Sequence, residues 1–129
     1  MTIDSEATKA AQVQVFAGIP VSDLAAALVW YEVFFGRAAD EVVGAEAMWR
    51  VNEETWLFIA PDGQRAGGGL MTLGVLSLEP YLSRWQAAGL VHEPIETYSN
   101  GVRHVTILDP DGNSLSLAAA PPTQSTTTS

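Results

Sequence analysis

The chain has 129 residues, of which 47% are hydrophobic and 16% are charged. These proportions are typical of one folded globular domain rather than of a disordered protein. The formal net charge is −9, with only six Lys and Arg residues. Because phosphate binding needs clustered cations, we expect neither nucleic acid nor an anionic membrane as a partner. The lack of Cys excludes disulfides, thiolate metal sites and cysteine nucleophiles.

The two ends of the chain are expected to lie outside the folded domain. Residues 1–11 are predicted to be disordered and contain no apolar segment like that of a signal peptide. Residues 120–129 are polar, include two prolines and are predicted to form a disordered tail. No apolar run approaches membrane-spanning length, so a cytoplasmic protein is the default expectation.

The first half of the domain reads as one strand, one helix and further strands. An apolar strand is predicted at 13–19, after which Ser22 or Asp23 can cap a helix by accepting hydrogen bonds from its free N–H groups. Apolar residues at helical spacing predict that helix over 24–35, and Gly36 is placed to end it. The following strands are predicted at 41–51 and 55–60.

The second half repeats this order, with a strand at 70–76 and a helix at 78–88. Its later strands are predicted at 92–98, 102–108 and 114–119. A repeat of half the domain suggests duplication of one βαβββ unit, giving modules at 12–63 and 69–119. We therefore predict an α+β fold of two tandem modules, with cupped, mostly antiparallel sheets and helices on their outer faces.

The most informative stretch is the motif Asp-Pro-Asp-Gly-Asn at residues 109–113. Pro presets φ and the Asp-Gly pair supplies a position for positive φ, so the motif predicts a hairpin between the last two strands. Alternation along these strands places four polar residues on one face, where we expect them to contact a ligand. These residues are His104, Thr106, Ser114 and Ser116.

Two further motifs carry a resemblance to a known family. Val-Ser-Asp-Leu at 21–24 is followed by Trp-Tyr-Glu-Val-Phe-Phe-Gly at 30–36, and Gly-Val-Arg-His at 101–104 leads into the 109–113 hairpin. They resemble the first-helix signature and the last hairpin of the vicinal oxygen chelate superfamily. That superfamily includes glyoxalases, bleomycin-resistance proteins and extradiol dioxygenases. Together with the duplicated layout, the resemblance covers residues 12–119.

Enzymes of this superfamily hold a divalent metal through four inward-facing side chains, typically His, Gln or Glu. The resemblance places Phe16, Leu70 and Ser116 at three of those positions, and the fourth falls within the apolar strand at 55–60. Transition metals need imidazole or carboxylate ligands, which these residues do not supply. We therefore expect no metal and no other cofactor. The resemblance then favours the metal-free branch, whose members sequester a small molecule such as an antibiotic and are commonly homodimers.

Aromatic side chains are the second group of candidate ligand contacts. Phe16 lines the concavity if the family alignment holds, and Phe58 shares the strand parity of Trp56. One hypothesis places Trp49 and Trp56 on the same sheet face, as a stacking wall for a planar or amphiphilic ligand. The alternative is core packing beneath the helix, and parity alone does not separate the two.

Four functions remain open on the sequence. The first is metal-free binding of a small molecule in an aromatic-lined cleft, with His104 as a hydrogen-bond partner. The second is a metal-independent enzyme, such as an isomerase, epimerase or cyclase, that uses His104 or Glu46 for proton transfer. The third is a metal-dependent lyase or dioxygenase with the rearranged ligands His92, Glu96 and His104. The fourth is an interaction domain with a vestigial pocket, in which His104 is satisfied by a neighbour.

Overall fold

The structure is a computed structural model that describes residues 13–121. The predicted disordered segment at 1–11, and residues 122–129 of the predicted tail, lie outside the described residues. The elements are β1 (Val15–Val21), α1 (Leu24–Phe35), β2 (Glu41–Val43), β3 (Glu46–Asn52), β4 (Thr55–Pro61), β5 (Leu70–Val75), α2 (Glu79–Ala87), β6 (Glu96–Thr97), β7 (Arg103–Leu108) and β8 (Ser114–Ala119). Within the described range, no helix is long and apolar enough to cross a membrane.

The strands form two four-stranded sheets with the same layout. The first has the order β1-β4-β3-β2 and the second the order β5-β8-β7-β6. β1 pairs in parallel with β4, and β5 pairs in parallel with β8. The other pairings are antiparallel. The predicted α+β fold of two tandem βαβββ modules is therefore confirmed, with mixed sheets in which antiparallel pairs predominate.

Two predicted strands differ from those observed. The strand expected at 41–51 is divided into β2 and β3 by a turn at Gly44, which has a φ of 61°. Only glycine adopts such a left-handed conformation without strain, so the chain reverses there and β2 pairs with β3. The weak strand expected at 92–98 is reduced to the two residues of β6.

Helix α1 begins and ends at the residues that the sequence indicated. Asp23 has extended backbone geometry, and its side chain accepts a hydrogen bond of 3.1 Å from the backbone N–H of Ala26. At the other end Gly36 has a φ of 82°, and its N–H donates to the carbonyl of Glu32. These two caps satisfy backbone groups that a helix end would otherwise leave unpaired.

The helices bury one face of each sheet in a single core that both modules share. Phe34 of α1 stacks on Trp85 of α2, with ring centroids 5.5 Å apart and both side chains fully buried. The guanidinium of Arg84 donates to the main-chain carbonyls of Val33 and Phe34, which are free at the end of α1. The two modules are thus joined through their helices as well as through the chain.

The hairpin between β7 and β8 forms a second connection between the modules. Asp109 is buried, and its carboxylate accepts a 2.7 Å hydrogen bond from the Tyr31 hydroxyl of α1. It also accepts hydrogen bonds from the main-chain N–H groups of Asp111 and Asn113. The Asn113 amide donates to the carbonyl of Pro20 in β1, so the second module's hairpin is bonded to both α1 and β1 of the first.

Tyr31 is the central donor of this connection. Burial is the main cause that raises the pKa of the Tyr31 hydroxyl far above its usual range, and the hydrogen bond to Asp109 is the second. The hydroxyl therefore stays protonated and donates to a carboxylate that is itself removed from water. Hydrogen bonds of this kind, with one charged partner, are among the stronger ones in proteins.

We predict that Tyr31→Phe lowers the free energy of unfolding by about 1.5–3 kcal/mol, because it removes a buried hydrogen bond to a charged group. Equilibrium unfolding in urea measures the change. Tyr81→Phe is the matched control, since the structure gives the Tyr81 hydroxyl no hydrogen-bond partner among residues 13–121. Equal effects of the two substitutions would contradict the role assigned to the Tyr31 hydroxyl.

Candidate functional site

Each sheet has a second face that neither helix of the described range, 13–121, covers. Strand alternation sends one set of side chains in each sheet towards the helices and the other set to the uncovered side, which we call the outward side. We call the outward side of the first sheet the aromatic face, formed by Phe16, Met48, Trp56 and Phe58. We call the outward side of the second the hydroxyl face, formed by Thr72, His104, Thr106, Ser114 and Ser116.

The aromatic face is ordered by the pairing of β1, β4 and β3. Phe16 lies beside Trp56, which lies beside Arg50. Phe16 is 54% exposed, although large aromatic side chains are usually buried. The guanidinium of Arg50 lies 6.0 Å from the centre of the Trp56 ring, at the outer limit of a cation–π contact. Glu46, considered above as a base, is half-buried in β3 on this same face.

Phe58 has a specific requirement for the residue beside it. Its ring lies over Gly18, where an added Cβ would approach the ring carbons to 2.4 Å. Glycine at this position therefore leaves room for the outer end of the ring beside the backbone of β1. The neighbouring hollow, of about 210 Å³, is lined by Gly18, Phe58 and Ala60 together with Arg65. The aromatic face thus combines exposed rings with a shallow apolar depression.

The hypothesis that Trp49 and Trp56 share a sheet face is wrong. Trp49 pairs with Leu57 and so points to the helix side of the sheet, whereas Trp56 points outward. Trp49 is fully buried and stacks on Phe35 of α1 with ring centroids 4.8 Å apart. Its indole N–H donates to the carbonyl of Arg37. Trp49 is therefore a core residue, which was the alternative interpretation.

The hydroxyl face is formed by three neighbouring strands. Thr72 lies beside Ser116, which lies beside Thr106, and the Ser116 and Thr106 hydroxyls are hydrogen-bonded at 2.9 Å. Ser116 is almost completely buried, whereas Thr72 is exposed. Ser114 occupies the neighbouring row, between exposed Leu70 and Leu108.

His104 is at one edge of the hydroxyl face, where β7 pairs with β6. Its Nδ1 lies 3.3 Å from Oε1 of Glu96, and its ring stacks on Tyr98 with centroids 5.7 Å apart. The Tyr98 hydroxyl also donates to Glu96, over 3.3 Å. Sequence reasoning did not single out Tyr98, or Met48 and Thr72 on the two faces. Strand pairing brings these residues to the site, and only the register shows it.

His92 lies apart from this cluster. Its ring packs against Trp85 at 6.1 Å between centroids, and its Nδ1 lies 2.7 Å from the carbonyl oxygen of Glu93. The hypothesis of a rearranged metal site formed by His92, Glu96 and His104 is therefore wrong, because only Glu96 and His104 lie in contact. No group of three or more His, Asp or Glu side chains able to hold a metal occurs among the described residues.

The positions that the resemblance assigns to metal ligands lie on the two outward faces. Phe16 is on the aromatic face, and Leu70 and Ser116 are on the hydroxyl face. Phenyl and alkyl side chains have no donor atom, and the Ser116 hydroxyl is bonded to Thr106. Such a set does not fit a divalent transition metal, which requires imidazole, thiolate or carboxylate ligands.

Comparison with solved structures identifies relatives of this chain. A glyoxalase/bleomycin resistance protein from Catenulispora acidiphila is 37% identical, with a TM-score of 0.80 over 85% of this chain and 100% of that one. An antibiotic-binding protein from Streptomyces is 23% identical, with a TM-score of 0.68 over 85% of this chain and 96% of that one. A bleomycin-binding protein solved with bleomycin is 16% identical, with a TM-score of 0.66 over 84% and 97%. At these lower identities the last two show the fold alone.

No family model matches the sequence, and no curated protein matches it. The relative from Catenulispora acidiphila is nevertheless aligned over its whole length at more than a third identity. The duplicated βαβββ topology and the hairpin that joins its modules agree with that relationship. The chain belongs to the glyoxalase/bleomycin resistance protein family of the vicinal oxygen chelate superfamily.

Proposed function

We propose that this protein binds a planar or amphiphilic small molecule, without a metal, in a cleft lined by the aromatic face. The observation that carries the proposal is the exposure of Phe16 beside Trp56 on a sheet face that no helix covers. Aromatic rings offer large contact areas with little conformational entropy to lose, which suits them to stacking on a flat ligand. In a dimer, the hydroxyl face of a second copy would supply hydrogen-bonding groups for the polar part of such a ligand.

The chemistry of the family's metal positions supports the same proposal. Phe16 and Leu70 there replace potential ligands with apolar surface, and Ser116 adds only a hydroxyl that is already bonded. Apolar surface at these positions favours burial of an organic ligand over Lewis-acid chemistry by a metal. Two structural relatives are described as an antibiotic-binding protein and a bleomycin-binding protein, so an antibiotic is one candidate ligand.

We also propose that the protein is a homodimer and that it acts in the cytoplasm. Val15 and Phe16 of β1 are about half exposed and Leu70 of β5 is 83% exposed, although all three are apolar. Among the described residues, strands β1 and β5 are also edge strands, each paired on one side only. Apolar side chains along unpaired edges favour association with a second copy, which would also enclose the outward faces.

We expect Leu70→Lys to weaken this dimer by at least about tenfold, because it places an unpaired charge in an apolar interface. Sedimentation velocity over a range of concentrations measures the dissociation constant. Val91→Lys is the control, since Val91 is 86% exposed but lies outside the strands. A wild-type protein that stays monomeric at high micromolar concentration would refute the dimer.

We expect Phe16→Ala to weaken the binding of a planar ligand by roughly tenfold, the loss expected for one aromatic stacking contact with its buried area. A screen of planar and amphiphilic compounds by tryptophan fluorescence supplies the ligand, because Trp56 lies beside Phe16. Val29→Ala is the control, as Val29 is an exposed apolar residue of α1. Unchanged affinity in Phe16→Ala would show that the ligand does not bind at the aromatic face.

We expect purified protein to contain far less than one transition-metal ion per chain by elemental analysis. Dialysis against Zn²⁺, Ni²⁺ or Mn²⁺ should also leave the midpoint of thermal unfolding unchanged. If the protein had a metal site, free metal at a hundred times the dissociation constant would instead raise the free energy of unfolding by about 2.7 kcal/mol. Stoichiometric, tightly held metal would overturn the proposal of a metal-free site.

A further inference from the structure

Arg50 carries a positive charge that no carboxylate of residues 13–121 neutralises through an ion pair. Three other arginines of that range, Arg37, Arg65 and Arg103, each pair with a nearby carboxylate. The guanidinium of Arg84 is taken up by main-chain carbonyls at the end of α1. The chain has 15 Asp and Glu residues and only six Lys and Arg, so an arginine without a carboxylate partner stands out.

The carboxylate beside the main chain of Arg50 is already used. Oδ2 of Asp40 accepts a 2.7 Å hydrogen bond from the Arg50 main-chain N–H and lies 2.6 Å from the guanidinium of Arg37. Arg37 also donates to the main-chain carbonyl of Arg50, which fixes the backbone there. The Arg50 guanidinium donates from Nη2 to the carbonyl of Glu53 over 3.2 Å. Its Nε and Nη1 have no hydrogen-bond partner among the described residues.

Strand register places this guanidinium beside the exposed rings of the aromatic face. Phe16, Trp56 and Arg50 are successive partners across β1, β4 and β3. Neighbouring strands are about 4.8 Å apart, so the three side chains occupy a strip about 10 Å wide on the outward side. The guanidinium lies 6.0 Å from the centre of the Trp56 ring. A flat molecule stacked on Phe16 and Trp56 therefore has one edge within reach of Arg50.

The other charges on the aromatic face give a bound ligand a preferred direction. Glu46 is four residues from Arg50 on the same side of β3, about 13 Å away along the strand, and Glu41 lies on this side of β2. The carboxylates of the adjoining turn, Glu53 and Glu54, form no ion pair with the guanidinium. An anionic group is therefore attracted to the end of the face at Arg50 and repelled from the end at Glu46.

We propose that Arg50 binds a carboxylate of the ligand, and that the ligand is a planar aromatic acid. This inference rests on the proposed binding function and names the chemical class for it. The rings of Phe16 and Trp56 contact the flat apolar part, while the planar guanidinium can donate to both oxygens of a carboxylate. A ligand ring on Trp56 also excludes water from one side of the ion pair, which makes it stronger than a fully exposed pair.

The ligand class is tested with 2-naphthoate and 2-naphthamide, which have nearly the same shape but differ in charge at neutral pH. Calorimetric titration should show 2-naphthoate binding about tenfold more tightly, the effect of hydrogen bonds to a charged group. Raising the salt concentration to about 0.5 M should weaken the binding of 2-naphthoate and leave that of the amide unchanged. Equal affinities in the wild type, or failure of 2-naphthoate to bind, would reject an aromatic acid as the ligand class.

Substitution of Arg50 tests the residue itself. Arg50→Gln should remove most of the preference for 2-naphthoate while the affinity for 2-naphthamide stays the same, which also shows that the face is intact. Arg50→Lys keeps the charge without the planar fork and should retain part of the preference. Arg103→Gln is the matched control, because it removes one positive charge from the second module, where Arg103 pairs with Glu79. An equal loss of 2-naphthoate binding in Arg103→Gln would mean that net charge, and not Arg50, is responsible.

Phe16→Ala separates this inference from the proposed function. If Phe16→Ala weakens both naphthalenes while Arg50→Gln changes neither, the aromatic site stands and the role of Arg50 is wrong. If both compounds bind with affinities that neither substitution changes, the site itself lies elsewhere and the proposed function is wrong. Weakening of both compounds by Phe16→Ala and of 2-naphthoate alone by Arg50→Gln supports the two together.

Discussion

The buried carboxylate of Asp109 is the interaction on which the arrangement of the two modules depends. It accepts hydrogen bonds from Tyr31 of α1 and from its own hairpin, where Asn113 extends the connection to Pro20 of β1. A buried charge without such partners would be very unfavourable, so the carboxylate is stable only when both modules are correctly placed. The amide oxygen of Asn113 also accepts from the main chain at Gly67 and Gly69, which fixes the linker into β5.

With the modules fixed in this way, the outward faces of the two sheets acquire different chemistry from the same topology. Corresponding positions carry Phe16 and Trp56 in the first module and Leu70 and Ser114 in the second, and Phe58 corresponds to Ser116. One face thus offers stacking surface and the other offers hydroxyls and an imidazole.

The sequence predicted the fold well because its strongest signals are local. Asp23 and Gly36 cap α1 as expected, since capping depends on one side-chain oxygen or on one residue able to adopt positive φ. The error at 41–51 arose because a single glycine, Gly44, divides the segment predicted as one strand into two paired strands. The face of Trp49 could not be predicted, because alternation gives the period of a strand and not the side on which the helix packs.

The candidate site was predictable only in part, for the same reason. Sequence alone determined the hairpin at 109–113 and the duplicated order of elements. Tertiary structure decided that Phe16 and Trp56 share an uncovered face, and that Glu96 and Tyr98 meet His104. Those neighbours come from different strands, and the register that joins them is set by packing of the whole sheet, which no local pattern encodes.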